Sequence, residues 1–249
     1  MRFLLYNIRY GTGKKVPRTP WGGYFGKTGG HLSEIIGFIK TLEPDIMGLV
    51  EVDGGSYRSG RQNQAEVIAR ELGHYHTYRT KYRENGRISR RVPLMNQQGN
   101  AFITKDSISD ARFHYFESGM KRLVIELEMP NLVVFLVHLS LSFRVRHEQL
   151  GNLYRLVKTT TKPHIVAGDF NALWGEREID LFLAATGLRN VNTKCLPSFP
   201  SWEPRRHLDF ILCSETIQAE RFWMPGVTLS DHLPLVMDFS IQGEQKDKP

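Results

Sequence analysis

The sequence predicts an α/β protein in four layers: two mixed β-sheets packed face to face, with helices on the outer faces. Three observations lead there. Nine short apolar runs have strand length, and three segments share one helical stripe. The strands are also too many, against about four helices, for a simple doubly wound sheet. Two sheets stacked on each other, with helices outside, bury every apolar face.

In chain order, residues 2–6 (Arg2-Phe3-Leu4-Leu5-Tyr6) read as a buried strand. Leu32, Ile35, Ile36 and Ile39 fall at i, i+3, i+4 and i+7, the stripe of a helix lying on a sheet. A strand at 46–50 follows, then a second stripe from Ala65, Ile68, Ala69 and Leu72. Strands are expected at 75–80, 101–103, 123–128 and 132–138. The run Leu132–Val137 is apolar on both faces, which places it centrally in its sheet. Leu150, Leu153, Tyr154 and Val157 make the third stripe, and a weaker helix runs from Glu176 to Ala185. Strands at 164–168, 209–212 and 234–239 complete the set. With no internal repeat or Ser/Pro-rich linker, residues 1–241 form one domain, and the polar segment 242–249 is a disordered tail.

Composition narrows the functional classes. The chain has 249 residues and a formal charge of +7, so polyanions and anionic surfaces are plausible partners. Cys195 and Cys213 cannot build a disulfide framework and lack metal-ligand spacing; they read as reduced, buried thiols. No apolar run is long enough to span a membrane, and the N-terminal run is too short for a signal peptide. The expectation is a cytoplasmic monomer.

The chemistry lies at the strand ends. Strand 2–6 ends in Asn7, 46–50 in Glu51, 132–137 in His138, and 164–168 in Asp169-Phe170-Asn171. Asp209 opens the next strand, and Ser230-Asp231-His232 precedes the last. A single Asp or Asn after a strand is as often a turn former, but the joint pattern marks one rim, where α/β folds place ligand sites. Asp169 and Asn171 are two apart, so in extended backbone they share a face, a carboxylate acceptor beside an amide donor. Glu51 offers the hard oxygen that Mg²⁺ takes beside a substrate phosphate. Asp209 can hold the Nδ1–H of a histidine and leave Nε2 as acceptor, with His232 the candidate partner.

In order, Tyr6-Asn7-Ile8-Arg9, Leu49-Val50-Glu51-Val52-Asp53, Gly99-Asn100-Ala101, His138-Leu139-Ser140, Gly168-Asp169-Phe170-Asn171, Leu208-Asp209-Phe210 and Ser230-Asp231-His232 resemble the endonuclease/exonuclease/phosphatase superfamily, whose fold is deoxyribonuclease-I-like. The resemblance implies a metal-dependent phosphoester hydrolase. Glu51 matches the principal metal carboxylate, Asn7 the asparagine beside it, and Asp231 an acid near the metal. Asp169 and Asn171 match the pair that orients the water and contacts phosphate. His232, oriented by Asp209, matches the catalytic histidine. His138 matches a second histidine of the deoxyribonuclease-I-like, sphingomyelinase-like and inositol-phosphatase-like branches, which sets repair enzymes further away. The stretches Asp53–Gly60, Arg144–Leu150 and Ser198–Asp209 resemble bacterial members of unassigned substrate.

The expected reaction is Mg²⁺- or Mn²⁺-assisted hydrolysis of a phosphodiester. Zinc fits less well, since no Cys/His cluster is evident in the sequence. Asn100, Arg144, Arg146 and Arg206 are the candidate phosphate contacts. Basic clusters at Lys14-Lys15, Arg87 with Arg90-Arg91, Arg144 with Arg146, and Arg205-Arg206 favour nucleic acid as substrate. A phospholipid headgroup or inositol phosphate is the alternative, with the aromatic loop Trp21–Lys27 as its contact, and a phosphomonoesterase stands beside it. A catalytically dead binding module would have lost a rim residue, and none is missing.

Overall fold

The computed structural model describes residues 1–13, 26–81 and 94–242, with Met95 by its backbone alone. The expected loop Trp21–Lys27 lies largely outside them, as do Lys14-Lys15, Arg87, Arg90-Arg91 and the tail beyond Gln242.

The described residues form twelve strands and four helices. Strands β1 (Arg2–Asn7), β2 (Ile46–Asp53), β3 (Tyr75–Thr80), β4 (Gln98–Thr104), β11 (Ile217–Trp223) and β12 (Leu235–Ile241) make one six-stranded sheet, in the order β11-β12-β1-β2-β4-β3. Strands β5 (Asp110–Tyr115), β6 (Leu123–Glu128), β7 (Val133–His138), β8 (His164–Asp169), β9 (Arg189–Asn190) and β10 (Asp209–Cys213) make the other, in the order β5-β6-β7-β8-β10-β9. Each sheet has one parallel pair, β1 with β2 and β7 with β8, and antiparallel pairs elsewhere. Helices α1 (Gly29–Leu42) and α2 (Gln64–Leu72) serve the first sheet, and α3 (Phe143–Val157) and α4 (Arg177–Thr186) the second.

Three apolar clusters confirm the four layers. Phe3, Leu5, Val50, Phe102, Ile125, Leu136, Ala167 and Met237 fill the space between the sheets. Leu4, Tyr6 and Met47 face the other way, onto Ile35, Ile39 and Ile68 of α1 and α2. Phe135, Val166 and Phe210 do the same beneath Leu150, Leu153 and Phe182 of α3 and α4. Alternation along each central strand thus feeds two cores at once, which is why those strands read as continuous apolar runs.

Three strands go beyond those expected, β5, β9 and β11. Strand β5 (DARFHY) and β11 (IQAERFW) are edge strands with exposed charged positions, so no apolar run announces them. Strand β9 is two residues long. Cys213 is buried as expected, but Cys195 is exposed, on a turn with left-handed backbone at φ 49°.

Candidate active site

The strand ends meet at one rim, across the seam of the two sheets. Asn7, Glu51 and Asn100 come from the first sheet, and His138, Asp169 and Asp209 from the second. His138 and Asp169 are register partners on β7 and β8, and Asp169 is the partner of Asp209 on β10. The close approach of β7 to β8 explains Gly168. Its φ is 154°, and a Cβ there would sit 1.9 Å from the Val137 carbonyl oxygen.

Glu51 stands on a bulge. Strand β2 shifts register against β4 between Leu49 and Val52, and Glu51 takes left-handed backbone at φ 57°. Its freed amide donates to Asn100 Oδ1 at 3.3 Å. The bulge re-aims the carboxylate towards the seam, 3.9 Å from His138 Nε2. Asn100 Nδ2 is buried without a partner. Left-handed backbone recurs at Arg9, Tyr10 and Asn171, strain of the kind that gathers at functional sites.

Asp169 is the hub. Its Oδ1 accepts from the Asn171 amide at 3.0 Å, and its Oδ2 accepts from Asn7 Nδ2 at 3.1 Å. The same Oδ2 lies 3.4 Å from His138 Nε2 and 3.9 Å from His232 Nε2. Burial raises its carboxyl to about 6, aided by Asp209 and Glu51 and opposed by His232 and Lys121. Asn171 Nδ2 donates to the Leu139 carbonyl at 2.9 Å, tying the loop after β8 to the loop after β7.

His232 Nδ1 donates to Asp209 Oδ2 at 2.7 Å, the pairing expected from the sequence. Ser198 Oγ donates to the same oxygen at 2.6 Å and fixes the carboxylate from the other side. Burial favours the neutral ring, but Asp209, Asp169 and Asp231 outweigh it, lifting His232 to about 10. His232 is therefore an imidazolium at neutral pH. His138 goes the opposite way: burial, with Lys121, Lys81 and His232 nearby, holds it well below its ordinary value, so it is neutral.

Asn7, expected as a metal ligand, uses its amide to hold Asp169, and its Oδ1 takes the Arg9 amide at 3.1 Å. Asp231 Oδ2 pairs with Arg9 Nε at 3.3 Å, and burial raises its carboxyl above the usual range. Two candidate phosphate contacts are placed on the surface. Arg144 is 91% exposed and pairs loosely with Glu148 on α3, while Arg206 is exposed and donates to the Leu173 carbonyl. Arg205 pairs with Glu203.

Arg146 departs from its expected role and is the clearest correction. It is fully buried, its Nε bonds Glu178 at 2.5 Å, and its Nη1 bonds the carbonyls of Ser140 and Leu141. It braces the loop after His138 against α4 and does not face the seam.

Three cations that the strand-end pattern does not single out also stand near the seam. Lys121 Nζ lies against His138 Nε2. Lys81 is buried, its Nζ 2.7 Å from Tyr10 Oη, and burial beside Lys121 and Arg58 lowers it to about 7 despite Glu51. Arg9 was visible only as part of a motif. The lysines lie in polar stretches with no local signal, and strand pairing alone brings them to the seam.

The charge of Glu51 acts on both Asp169 and Asp231, and carboxylate oxygens are the hard donors a divalent cation takes; the unpartnered Asn100 Nδ2 is a donor and suits an anion instead. Asp169, Asp209 and His232 also gather closely enough to hold a metal, although Asp209 Oδ2 already accepts from both His232 Nδ1 and Ser198 Oγ. A second such group, Glu176, Cys195 and His207, lies outside the site. There the Asn192 amide donates to His207 Nε2 at 3.2 Å, which leaves the ring proton on Nδ1, facing Glu176 at 3.1 Å. Its nitrogens are satisfied by hydrogen bonds and offer no free lone pair.

No curated protein sequence matches the chain. Among solved structures it resembles the human nocturnin catalytic domain, with TM-score 0.68, 21% identity, and 97% and 93% of the two chains covered. It resembles the mannosyl-6-phosphatase Bt3783 of Bacteroides thetaiotaomicron, with TM-score 0.70, 14% identity, and 97% and 100% covered. It also resembles ANGEL2, a 2',3'-cyclic phosphatase, with TM-score 0.67, 16% identity, and 97% and 95% covered. At such identities the likeness is one of fold. A sequence model of the Endonuclease/Exonuclease/phosphatase family matches residues 4–232, nearly the whole length, and the chain belongs to that family.

Proposed function

We infer that the protein hydrolyses phosphodiesters with the help of Mg²⁺ or Mn²⁺, and that its substrate is nucleic acid. The carrying observation is the hydrogen-bonded row Asp209–His232 beside Asp169, within reach of Glu51 and His138. Glu51 and Asp231 would hold the cation, which supplies charge stabilisation to the phosphoryl oxygens.

The chain's own residues divide the proton work by their environments. Asp169, held by Asn7 and Asn171 and raised to about 6, accepts a proton from the attacking water. As the P–O bond breaks, His232, an imidazolium held by Asp209 and 3.9 Å from Asp169, gives its proton to the leaving oxygen. Asn100 Nδ2 and Lys121 Nζ supply further donors to phosphate oxygens. Arg146 has no part in this step.

The test uses bis-p-nitrophenyl phosphate with Mg²⁺ and Mn²⁺. His232→Ala should cost about 10²–10⁴-fold in kcat, the usual value of a positioned proton donor or acceptor. Glu51→Gln and excess chelator should each abolish turnover. Near-wild-type rates in either variant would defeat this reading. The nucleic-acid assignment is read on oligonucleotides, with phosphatidylinositol and inositol phosphates as the competing substrates.

A further inference from the structure

The loops leaving β7 and β8 carry large apolar side chains that the fold leaves in water. Leu141 is 53% exposed, Phe143 58% and Trp174 81%. The two loops are stitched together beside the catalytic residues: the Leu139 amide donates to the Asp169 carbonyl at 2.9 Å, and Asn171 Nδ2 to the Leu139 carbonyl at 2.9 Å. Leu141 follows two residues after Leu139, and Trp174 three after Asn171. On the His232 side, the Ser201 amide donates to the Asp231 carbonyl at 2.8 Å, and the next residue, Trp202, is 42% exposed.

An exposed tryptophan forgoes the burial free energy its ring could have gained, and several large apolar residues at one hydrolytic rim mark a contact surface. The charges on the same rim identify its partner. Arg144, in the first turn of α3 beside Phe143, is 91% exposed, and Arg206 reaches across to the Leu173 carbonyl next to Trp174. The Phe143 ring is already held flat against His147, with centroids 6.3 Å apart and planes 21° apart. Each exposed ring thus has a guanidinium beside it, Arg144 next to Phe143 in the chain and Arg206 at the residue before Trp174.

Unpaired nucleic acid has the complementary pattern, base faces alternating with phosphates. A duplex hides its base faces in the stack and would have to be unstacked at a cost of a few kcal/mol. A lipid surface takes a continuous apolar face, with its basic residues on the opposite side. Here the basic residues interrupt the apolar ones.

We propose that Trp174 and Phe143 are a stacking platform for unpaired bases, with Arg144 and Arg206 on the adjoining phosphates, so that the enzyme selects single-stranded nucleic acid. This rests on the nuclease reading above. It is tested by measuring kcat/KM on a single-stranded oligonucleotide, its duplex and bis-p-nitrophenyl phosphate, for the wild type, Trp174→Ala and Trp174→Phe. The wild type should prefer the single strand to the duplex. Trp174→Ala should lower kcat/KM on the single strand by about 5- to 150-fold, the value of one base–aromatic stack. The loss should lie mainly in KM and exceed the loss on the small diester. Trp174→Phe, which keeps a ring, should recover most of it.

Equal losses on the oligonucleotide and the small diester, or no loss on the oligonucleotide, would overturn the platform while leaving the nuclease reading intact. A wild type that turns over the small diester but cleaves no oligonucleotide would overturn both. Sedimentation with phosphatidylglycerol vesicles that Trp174→Ala abolishes, without any effect of the variant on oligonucleotides, would assign the rim to a membrane instead.

Discussion

Arg146→Met separates an arginine that serves the fold from one that serves the substrate. The guanidinium and Glu178 are both essentially out of water, at 0% and 3% side-chain exposure, and 2.5 Å apart. Removing the arginine leaves the carboxylate buried and unpaired, which typically costs about 3–5 kcal/mol. The carbonyls of Ser140 and Leu141 also lose their donor, but Leu141 is exposed and Ser140 half-buried, so water replaces it at little cost. The buried charge therefore dominates, and the estimate for the single variant stays at about 3–5 kcal/mol. Arg146→Met/Glu178→Leu removes both charges and should recover most of the loss, since apolar replacement of a buried pair is often neutral. Urea unfolding of the wild type, both single variants and the double variant reads the coupling directly. If Arg146→Met cost under about 1 kcal/mol, well below the cost of an unpaired buried carboxylate, while KM rose tenfold, the arginine would serve the substrate and not the fold.

Two further predictions follow from the site and from a histidine remote from it. Asp209→Asn should lower kcat by about 10²–10⁴-fold and return His232, read by NMR titration, from about 10 towards its ordinary range; an unmoved titration would show that Asp209 does not set its charge. His164 lies below its ordinary 6.5 because burial disfavours its charged form. Its contribution to stability is full above the unfolded value and is lost as pH falls below it, because the unfolded chain then binds the extra proton. His164→Gln should flatten the fall in the urea midpoint between pH 7 and pH 5, and an unchanged slope would contradict this.

The layers and the rim were legible in the sequence for one physical reason. Central strands feed two cores and so read as apolar runs, and their polar ends stand out against that background. Glu51, Asp169, Asp209 and His232, which the structure brings to one seam, all stand out this way. Edge strands β5 and β11 were not, because one face of each meets water and its charges hide the period. Nearness in sequence to His138 points Arg146 at the site, but its place in the helical period points inward. It lies four residues before Leu150 and seven before Leu153, on the buried stripe of α3, whereas Arg144 and Glu148 lie on the opposite face. Lys81 and Lys121 were beyond reach, since only tertiary pairing brings them to Glu51 and His138.

The seam on which the site is built also makes turnover a clock for folding. The candidate site draws residues from both sheets, and β1, which carries Asn7, is flanked by β2 and by β12, paired through Arg2↔Asp238 and Leu5↔Leu235. The first sheet therefore cannot close until residues far along the chain have arrived, a contact of very long sequence separation and high loop-closure entropy. Helices and the local hairpin β6–β7 can form long before that. During refolding, recovery of far-ultraviolet dichroism should precede recovery of hydrolysis, and the lag between them reports the late arrival of β12 that closes the first sheet and, with it, the seam.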